Sequence, residues 1–305
     1  MPSRIRLVAV DIDGTLLPTS GTTISKRNRR ALQDAQAAGV HIVIATGRRH
    51  QYAEPVLEQV GLSPRTVMIS SNGSVVRYFD GELIERNLLT EQTARALCGA
   101  LRPFGQTMVF TFDRTDGPSL VVESMASLHR RIALWVEANR HDMVEIAPLE
   151  RAFDQHLGPI QAMLCGDIPK VRVAEQALQG MERAGQITMH RTEYAERDLG
   201  ILDLLPPHCS KGTALANYVR SLSLEPHEVM AIGDNFNDQA MLEYAGQPIV
   251  MGNAGPEMLA LADEHGWATT VSNDADGVAE MLEPLIRAAD LPEAAQAHPD
   301  LARKW

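Results

Sequence analysis

The amino-acid sequence predicts an α/β protein in which a parallel sheet, covered by helices, is interrupted by an inserted α+β domain. Three observations lead to this fold class. Short apolar runs alternate with helix-forming stretches in the first and last thirds of the chain, which is typical of parallel βαβ units. The middle third lacks this alternation. Polar residues directly follow the apolar runs, at the edge where open parallel sheets bind ligands.

The first third contains three predicted buried strands, because each run is short, apolar and followed by polar or turn-forming residues. These strands are Leu7–Val10, His41–Ala45 and Val67–Ser70. A helix is predicted from Ser25 to Ala38, since Ser25 is a favourable N-cap and Gly39 a favourable stop. A second helix is predicted to end at Glu58, just before Gly61.

The pattern changes at about Gly81 and resumes after Leu205. Between them, strands are predicted at Met108–Asp113 and Leu120–Glu123, separated by a turn at Asp116–Pro118. This stretch is expected to form an α+β unit of its own. Beyond it, the predicted helices are Gly212–Leu222 and Asp238–Ala245, and the predicted strands are Val229–Ile232 and Ile249–Met251.

Two nested domains follow from this order. The predicted segments are 1–83 with 206–288 for the core domain, 84–205 for the inserted domain and 289–305 for a tail. The chain after Leu285, which carries Pro292 and Pro299, is expected to be loosely held.

The composition is that of a globular protein and narrows the classes of partner. The chain has 305 residues, of which 45% are hydrophobic and 22% charged, so a disordered chain, a collagen and a coiled-coil rod are excluded. At about 150 residues per domain, two domains are expected. The charge sum, 28 basic minus 39 acidic residues, is −11. Neither nucleic acid nor a membrane surface is expected as a partner, because both attract cationic faces.

The chain shows no targeting pattern, and we expect a cytoplasmic protein. The first apolar run stops at Asp11, which makes it too short for a signal peptide. No run of about 18 apolar residues is present. The three cysteines, Cys98, Cys165 and Cys209, are scattered and form no CxxC pair, which indicates reduced thiols.

Asp11 and Asp13, at the end of the first strand, carry the clearest chemistry. They are two residues apart, so in an extended chain both side chains face the same side, and Gly14 allows a sharp turn. Mg²⁺ would relieve the repulsion of the two carboxylates, and Asp234 could supply a third. One carboxylate can be the nucleophile that forms an aspartyl-phosphate, with its neighbour as general acid and base. The alternative for an isolated pair is a turn or a helix cap.

Residues after the second predicted strand and before a later helix could bind phosphate. The Thr46 hydroxyl and nearby backbone N–H groups, such as that of Gly47, suit phosphate oxygens, and Thr46 could also be a helix N-cap, since the two roles are compatible. Arg48 could reach a phosphate or take part in an ion pair. The Lys211 ammonium could offset the charge of carboxylates and phosphate, or be exposed.

Three further residues complete the candidate set. Asn72 can donate to phosphate or form a turn. Asn237 and Asp238 lie in an acidic, amide-rich run after Asp234 that suits a metal or phosphate. The alternative is a helix cap, in which Asp238 favours the helix dipole.

Taken together, these residues resemble the motifs of the haloacid dehalogenase-like (HAD) superfamily of phosphatases. The four motifs are Asp11-Ile12-Asp13-Gly14-Thr15-Leu16-Leu17, Thr46-Gly47-Arg48, Lys211, and Gly233-Asp234 with Asn237-Asp238. Three more resemble the narrower Cof-like subgroup, namely Ser71-Asn72-Gly73, Gly252-Asn253-Ala254 and Asp276-Gly277-Val278-Ala279. The resemblance covers residues 5 to 285 and implies a Rossmann-like core with a C2-type cap as the inserted domain.

The resemblance implies a Mg²⁺-dependent phosphomonoester hydrolase. Asp11 would attack phosphorus, and Asp13 would protonate the leaving oxygen and then activate water. Mg²⁺ would be held by Asp11, the backbone carbonyl of Asp13, and Asp234. Thr46 and Lys211 would stabilise the phosphoryl group. The further phosphate-binding candidates are Gly47, Arg48, Asn72 and Asn237, and Asp238 would support Lys211 or the metal shell.

Other classes of protein remain as alternatives. A phosphosugar mutase on the same fold would return the phosphoryl group to its substrate, and the sequence separates it poorly from a hydrolase. A phospho-receiver domain is far shorter and lacks the Asp-X-Asp pair. A non-enzymatic binding protein is disfavoured because every expected catalytic position is filled. His208 and Ser74 depart from the family pattern, where glycine and alanine are common, without touching a catalytic position.

The expected partner is a small phosphorylated metabolite, such as a sugar phosphate, and the sequence does not define an oligomeric state. Specificity is expected from the cap, because the phosphate site is generic. The candidates for contacting the leaving group are His190, Arg191, Glu193, Tyr194, Glu196 and Arg197. The alternative for most of them is an ordinary exposed loop.

Overall fold

The computed structural model describes residues 4–105, 107–114, 117–154, 158–194 and 197–289. The described chain forms two compact units. One contains the residues up to Ile84 and from Ser210 onwards, and the other is Glu85–Cys209. The predicted α/β class is confirmed, with one unit nested within the other.

The first unit is built on an eight-stranded sheet. Its strands are β1 (Leu7–Val10), β2 (His41–Ala45), β3 (Val67–Ser70), β4 (Val75–Tyr78), β5 (Leu83–Arg86), β12 (Val229–Gly233), β13 (Gln247–Val250) and β14 (Ala268–Thr269). The order is β14-β13-β12-β1-β2-β3-β4-β5. The six strands from β14 to β3 are parallel, and β4 is antiparallel to β3. The edge strands β4 and β5 on one side and β14 on the other are the parts of this sheet that the sequence did not predict.

Helices cover both faces of this sheet. They are α1 (Lys26–Ala37), α2 (His50–Leu57), α6 (Lys211–Ser221), α7 (Gln239–Tyr244), α8 (Pro256–His265) and α9 (Gly277–Ala289). Alternate residues of β1 face opposite layers, as strand geometry requires. Val8 and Val10 pack with α1, α2 and α9. Leu7 and Ala9 pack with α6, α7 and α8.

The ends of α1 follow from its sequence. The Ser25 hydroxyl accepts a hydrogen bond from the Asn28 N–H at 3.0 Å, which satisfies one of the unpaired donors of the first turn. Gly39 follows the helix with φ +85°, a conformation that glycine adopts at little cost. The predicted range is thus correct within one residue at each end.

The other end of the chain requires a correction. We expected a loosely held chain after Leu285, but α9 continues to Ala289 and packs against α1. Leu282 is buried, and Leu285 and Ile286 pack on the same core. The amphipathic pattern outweighed Pro284. Residues 290–305 lie outside the described residues.

The second unit contains a six-stranded sheet of its own. Its strands are β6 (Met108–Thr111), β7 (Leu120–Val122), β8 (Met143–Glu145), β9 (Gln161–Gly166), β10 (Thr188–Tyr194) and β11 (Leu199–Leu205), in the order β10-β11-β9-β6-β7-β8. Of the five neighbouring strand pairs in this sheet, β7–β8 is parallel and the other four are antiparallel. Helices α3 (Glu91–Leu101) and α5 (Ile168–Arg183) pack on one face, and α4 (Ala133–Asn139) contributes to a smaller cluster on the other.

Two predictions in this unit need comment. The strands we predicted at Met108–Asp113 and Leu120–Glu123 are present, but each ends earlier than expected. Of the predicted turn, Asp116 lies outside the described residues.

In the described part of the chain, no helix combines the length and the apolar character needed to cross a bilayer. All three cysteines are described, are buried and form no disulfide.

Candidate active site

Four neighbouring strands bring the predicted site residues to one edge of the sheet. Asp11 follows β1, Thr46 follows β2, and Asp234 follows β12. Asn72 lies in a short turn directly after β3. The strands are adjacent and parallel, in the order β12-β1-β2-β3, so their carboxyl ends meet. The convergence predicted from strand-end residues is therefore present.

The centre of the site is a buried ion triad. Lys211, the first residue of α6, has a fully buried side chain. Its Nζ donates to Oδ1 of Asp11 and to Oδ1 of Asp238, both at 2.6 Å. Burial alone lowers the pKa of Lys211, but the two carboxylates outweigh burial and hold that pKa above its ordinary value. The ammonium is therefore charged, and it bridges Asp11, the nucleophile candidate, and Asp238.

Asp238 is a positioning group whose two oxygens are both engaged. Oδ1 accepts from Lys211, while Oδ2 accepts the backbone N–H groups of Asp234 at 3.0 Å and Asn235 at 3.1 Å. Asp238 thus ties the loop after β12 to the lysine. This contact explains why an aspartate four residues after Asp234 suits the site.

Asp234 lies against the turn that follows Asp11. Its Oδ1 accepts the Thr15 hydroxyl at 3.2 Å. A Cβ added to Gly14 would lie 2.2 Å from Oδ2 of Asp234, and Gly14 has φ +78°. Only glycine fits at this position, since both the space and the backbone conformation exclude a side chain.

The acidic groups fit a divalent cation. One carboxylate oxygen from each of Asp11, Asp234 and Asp238 lies within 4.8 Å of the others. Burial, reinforced by the charge of Asp238, raises the pKa of Asp234 to about 7. Burial also raises the pKa of Asp11, although Lys211 opposes it. A hard cation would stabilise these ionised carboxylates. Since both oxygens of Asp238 are engaged, Asp11 and Asp234 are the side chains best able to bind it.

Asp13 points to a different partner. Arg48 donates from Nε and Nη2 to the two carboxylate oxygens of Asp13, at 2.7 and 2.5 Å. The Asp13 side chain is 57% exposed, whereas Arg48 is 17% exposed and its guanidinium stacks 5.0 Å from the Tyr52 ring centroid. Of the two roles that we considered for Arg48, the structure shows the ion pair. The Asp13 carboxylate is accordingly not part of the acidic cluster.

The phosphate-binding candidates form a second cluster beside the triad. The Thr46 hydroxyl accepts the Arg48 N–H at 3.1 Å, and the Thr46 carbonyl accepts the Asn72 N–H at 3.1 Å. The Asn72 Oδ1 accepts from the Asn237 amide at 3.2 Å and would lie 3.0 Å from a Cβ placed on Gly47. All four predicted candidates, Gly47, Arg48, Asn72 and Asn237, are thus linked through a few contacts.

The backbone of the turn after β3 is held in an uncommon conformation. Ser71, Asn72 and Gly73 have φ values of 49°, 53° and 99°, and non-glycine residues rarely adopt such values. A Cβ on Gly73 would lie 2.2 Å from the Ser210 carbonyl oxygen. The turn therefore packs directly on the residue before Lys211. Strain of this kind often accompanies functional loops.

Two residues with contacts to this site had no role in the sequence argument. Thr15 binds Asp234, and Asn253 donates to the Gly14 carbonyl at 2.8 Å. Both lie in motifs that carried the family resemblance, at Gly14-Thr15 and Gly252-Asn253-Ala254. That position in a motif was the signal available, but it did not say which atom each residue contacts.

The second unit divides its specificity candidates between two faces of one strand. His190, Arg191, Glu193 and Tyr194 lie on β10, so the exposed-loop alternative is wrong for them. Arg191 and Glu193 make ion pairs with Glu175 and Arg172 of α5, whereas the alternating residues His190 and Tyr194 face the other side. Arg197 is exposed, and Glu196 lies outside the described residues.

The fold and the site define a class of protein, an α/β protein with buried carboxylates and a lysine at the carboxyl edge of a parallel sheet. Comparison with known proteins identifies the family. The model of the haloacid dehalogenase-like hydrolase family matches residues 8–282. The chain is 29% identical to phosphatase YwpJ of Bacillus subtilis, over 92% of this chain and 100% of that protein. It is 27% identical to 5-amino-6-(5-phospho-D-ribitylamino)uracil phosphatase YwtE of the same organism, over 92% and 98%.

A solved structure agrees with these sequence matches. A haloacid dehalogenase-like hydrolase from Bacteroides thetaiotaomicron superposes with a TM-score of 0.74 and 27% identity, covering 92% of this chain and 100% of that one. The chain belongs to the haloacid dehalogenase-like hydrolases, as a Cof-like phosphatase with an inserted cap. It is a phosphomonoester hydrolase, and hydrolases of this family generally use a divalent metal.

Proposed function

We propose that this protein is a Mg²⁺-dependent phosphatase that hydrolyses a small phosphorylated metabolite through an aspartyl-phosphate intermediate. The observation that supports it best is the state of Asp11. Asp11 is 4% exposed, and Lys211 binds one of its carboxylate oxygens at 2.6 Å. Among the contacts of the described residues, Oδ2 is not engaged in a hydrogen bond, so this oxygen is the nucleophile. A fixed, desolvated carboxylate suits in-line attack on phosphorus.

The reaction needs two chemical steps. In the first, Asp11 Oδ2 forms a bond to phosphorus, the bond from phosphorus to the leaving oxygen breaks, and the Asp13 carboxyl gives its proton to that oxygen. In the second, the Asp13 carboxylate takes a proton from water, which attacks phosphorus and releases phosphate and the Asp11 carboxylate. Asp13 must leave Arg48 to act, and its 57% exposure leaves room for that rotation.

The surrounding residues neutralise the charge of the phosphoryl group. Lys211 supplies a permanent positive charge, and Thr46, Asn72 and Asn237 supply hydrogen-bonding groups. The Asp11 and Asp234 carboxylates and the Asp13 carbonyl would hold Mg²⁺, which when bound neutralises charge between the nucleophile and the phosphoryl oxygens. Arg48 would be freed for phosphate when Asp13 rotates away.

The substrate class that we propose is a sugar phosphate or a similar small phosphomonoester. One similar protein is named for a substrate that carries its phosphate on a ribityl chain. The net charge of −11 disfavours polyanionic partners such as nucleic acid or an anionic membrane. The three buried cysteine thiols suit a reducing compartment, and we propose a cytoplasmic location.

The decisive experiment is Asp11→Asn, assayed for phosphate release from a panel of sugar phosphates with Mg²⁺ or EDTA. The amide cannot attack phosphorus, so kcat should fall by at least about 10³-fold. Mass spectrometry of quenched wild-type enzyme should show one added phosphoryl group that the variant lacks.

The matched control is Asp34→Asn, which neutralises an aspartate of α1 that pairs with Arg30 at 3.4 Å. It should retain wild-type activity. Full Mg²⁺-dependent activity in the Asp11 variant would overturn the mechanism. Formation of an isomeric sugar phosphate instead of free phosphate would show that the protein is a phosphosugar mutase and not a hydrolase.

A further inference from the structure

We propose that Asn253 is a positioning residue for phosphoryl transfer, which holds the turn that carries Asp13. The inference rests on the proposed function. The Nδ2 group of Asn253 donates to the Gly14 carbonyl at 2.8 Å, across 239 residues of sequence. Asn253 lies in the loop after β13, outside the four motifs to which the mechanism assigns a role.

The orientation of the Asn253 amide is fixed by a second asparagine. The Oδ1 of Asn253 accepts the backbone N–H of Asn273 at 2.8 Å, so the NH₂ group of Asn253 must face Gly14. The Asn273 side chain in turn donates to the Leu17 carbonyl at 2.8 Å. Since the Leu17 N–H closes the turn on the Ile12 carbonyl at 2.9 Å, the two asparagines hold the middle and the end of the turn.

This turn also contacts Asp234. Gly14 packs its Cα against the Asp234 carboxylate, and Thr15 donates to the same group. Asp13 and Gly14 share a peptide, whose carbonyl is the proposed ligand of Mg²⁺. A Gly14 carbonyl without its donor can rotate, because glycine has little intrinsic conformational preference. Rotation would move the Asp13 carbonyl and the Asp234 carboxylate relative to each other.

The exposure of the two asparagines makes the proposal testable. Asn273 is 4% exposed, so its replacement risks the fold. Asn253 is exposed, so truncation there removes a hydrogen bond without opening a cavity in the core.

The test is Asn253→Ala, measured by calorimetric titration of the enzyme with Mg²⁺ and by steady-state kinetics. Groups that orient metal ligands typically contribute 10–100-fold to affinity or rate, so we expect about tenfold weaker Mg²⁺ binding and about tenfold lower kcat. KM should change by less than about twofold, since the turn does not hold the leaving group. Asn253→Asp keeps the acceptor for Asn273 but faces Gly14 with an oxygen, and it should lose at least as much.

The matched control is Gln33→Ala, because Gln33 is also an exposed amide that donates to a backbone carbonyl, that of Val60 at 2.6 Å. It should leave Mg²⁺ affinity and kcat unchanged. Equal Mg²⁺ affinity and kcat in the Asn253 and Gln33 variants would overturn the inference. It would also be overturned if the fraction of the Asn253 variant that is unfolded at the assay temperature accounted for its whole loss of kcat. If Asp11→Asn stays active, the proposed function fails instead, so the two failures are distinguishable.

Discussion

Lys211 illustrates what could be predicted at the scale of single residues. Its identity as a site residue followed from its place in an ordered set of motifs. Its two partners, Asp11 and Asp238, are 200 and 27 residues away, and only the strand order brings them together. The ion pair of Asp13 with Arg48 was one of two open roles, because the sequence does not show which anion lies nearest to a guanidinium.

The raised pKa of Asp234 leads to a prediction about stability. Its folded pKa of about 7 exceeds the ordinary value of 3.8, so between these pH values the folded state holds a proton that the unfolded state has lost. Stability without metal therefore falls as pH rises through this window. Asp234→Asn removes the penalty, so we expect it to raise the melting temperature in EDTA at pH 8 by about 2–4 °C.

The measurement is calorimetry at pH 5 and pH 8, with EDTA or with Mg²⁺. The gain should be largest at pH 8 in EDTA, and Mg²⁺ should stabilise the wild type but not the variant. Asp263→Asn, at an exposed position of α8, is the control and should change neither. A variant less stable than the wild type at pH 8 in EDTA would contradict the assignment.

At the scale of elements, patterns with a local cause were the most predictable. Helix α1 has a capping serine and a terminal glycine, so both ends were correct within one residue. The strands β4 and β5 were missed because they extend a parallel sheet by an antiparallel edge. Their pairing depends on tertiary contacts with β3 and not on a local pattern. In the sequence, the turn at Asp80 and Gly81 is the one sign of the hairpin that β4 and β5 form.

The α1 cap gives a prediction at this scale. Ser25→Ala removes the acceptor for the Asn28 N–H and should lower the free energy of unfolding by about 1 kcal/mol. The melting temperature should fall by about 2–4 °C, with kcat and KM unchanged. Denaturant and thermal unfolding measure the effect. Ser20→Ala, at an exposed position before the helix, is the control. An equal effect of both variants would show that the Ser25 N-cap hydrogen bond does not stabilise α1.

At the scale of the whole molecule, the length indicated two domains and the motifs indicated that one is nested in the other. The second unit was predictable as a class, but its strand order was not, because a mixed sheet of short strands has many possible pairings. Its specificity candidates were therefore named as one group. The structure separates them, since Arg191 and Glu193 bind α5 whereas His190 lies on the opposite face of β10.

This separation gives a prediction for the cap. We expect His190→Ala to change kcat/KM for the best sugar phosphate by about tenfold, while p-nitrophenyl phosphate stays within about twofold, because discrimination arises from contacts to the leaving group. The variant is measured with both substrates. His141→Ala, at an exposed position of the cap, should change neither. Equal losses on both substrates would show that His190 acts on the cap fold instead.

The nested order also determines when the sheet can be completed during synthesis. Strand β1 ends at Val10, and its neighbour β12 begins at Val229. At 5–20 residues per second, roughly 10 to 45 s pass before β12 leaves the ribosome. Throughout that time one side of β1 is an unpaired apolar edge, the kind of edge that aggregates. The cap, complete by Cys209, is synthesised in full before β12, so that side of β1 stays without its partner strand until the last third of the chain emerges.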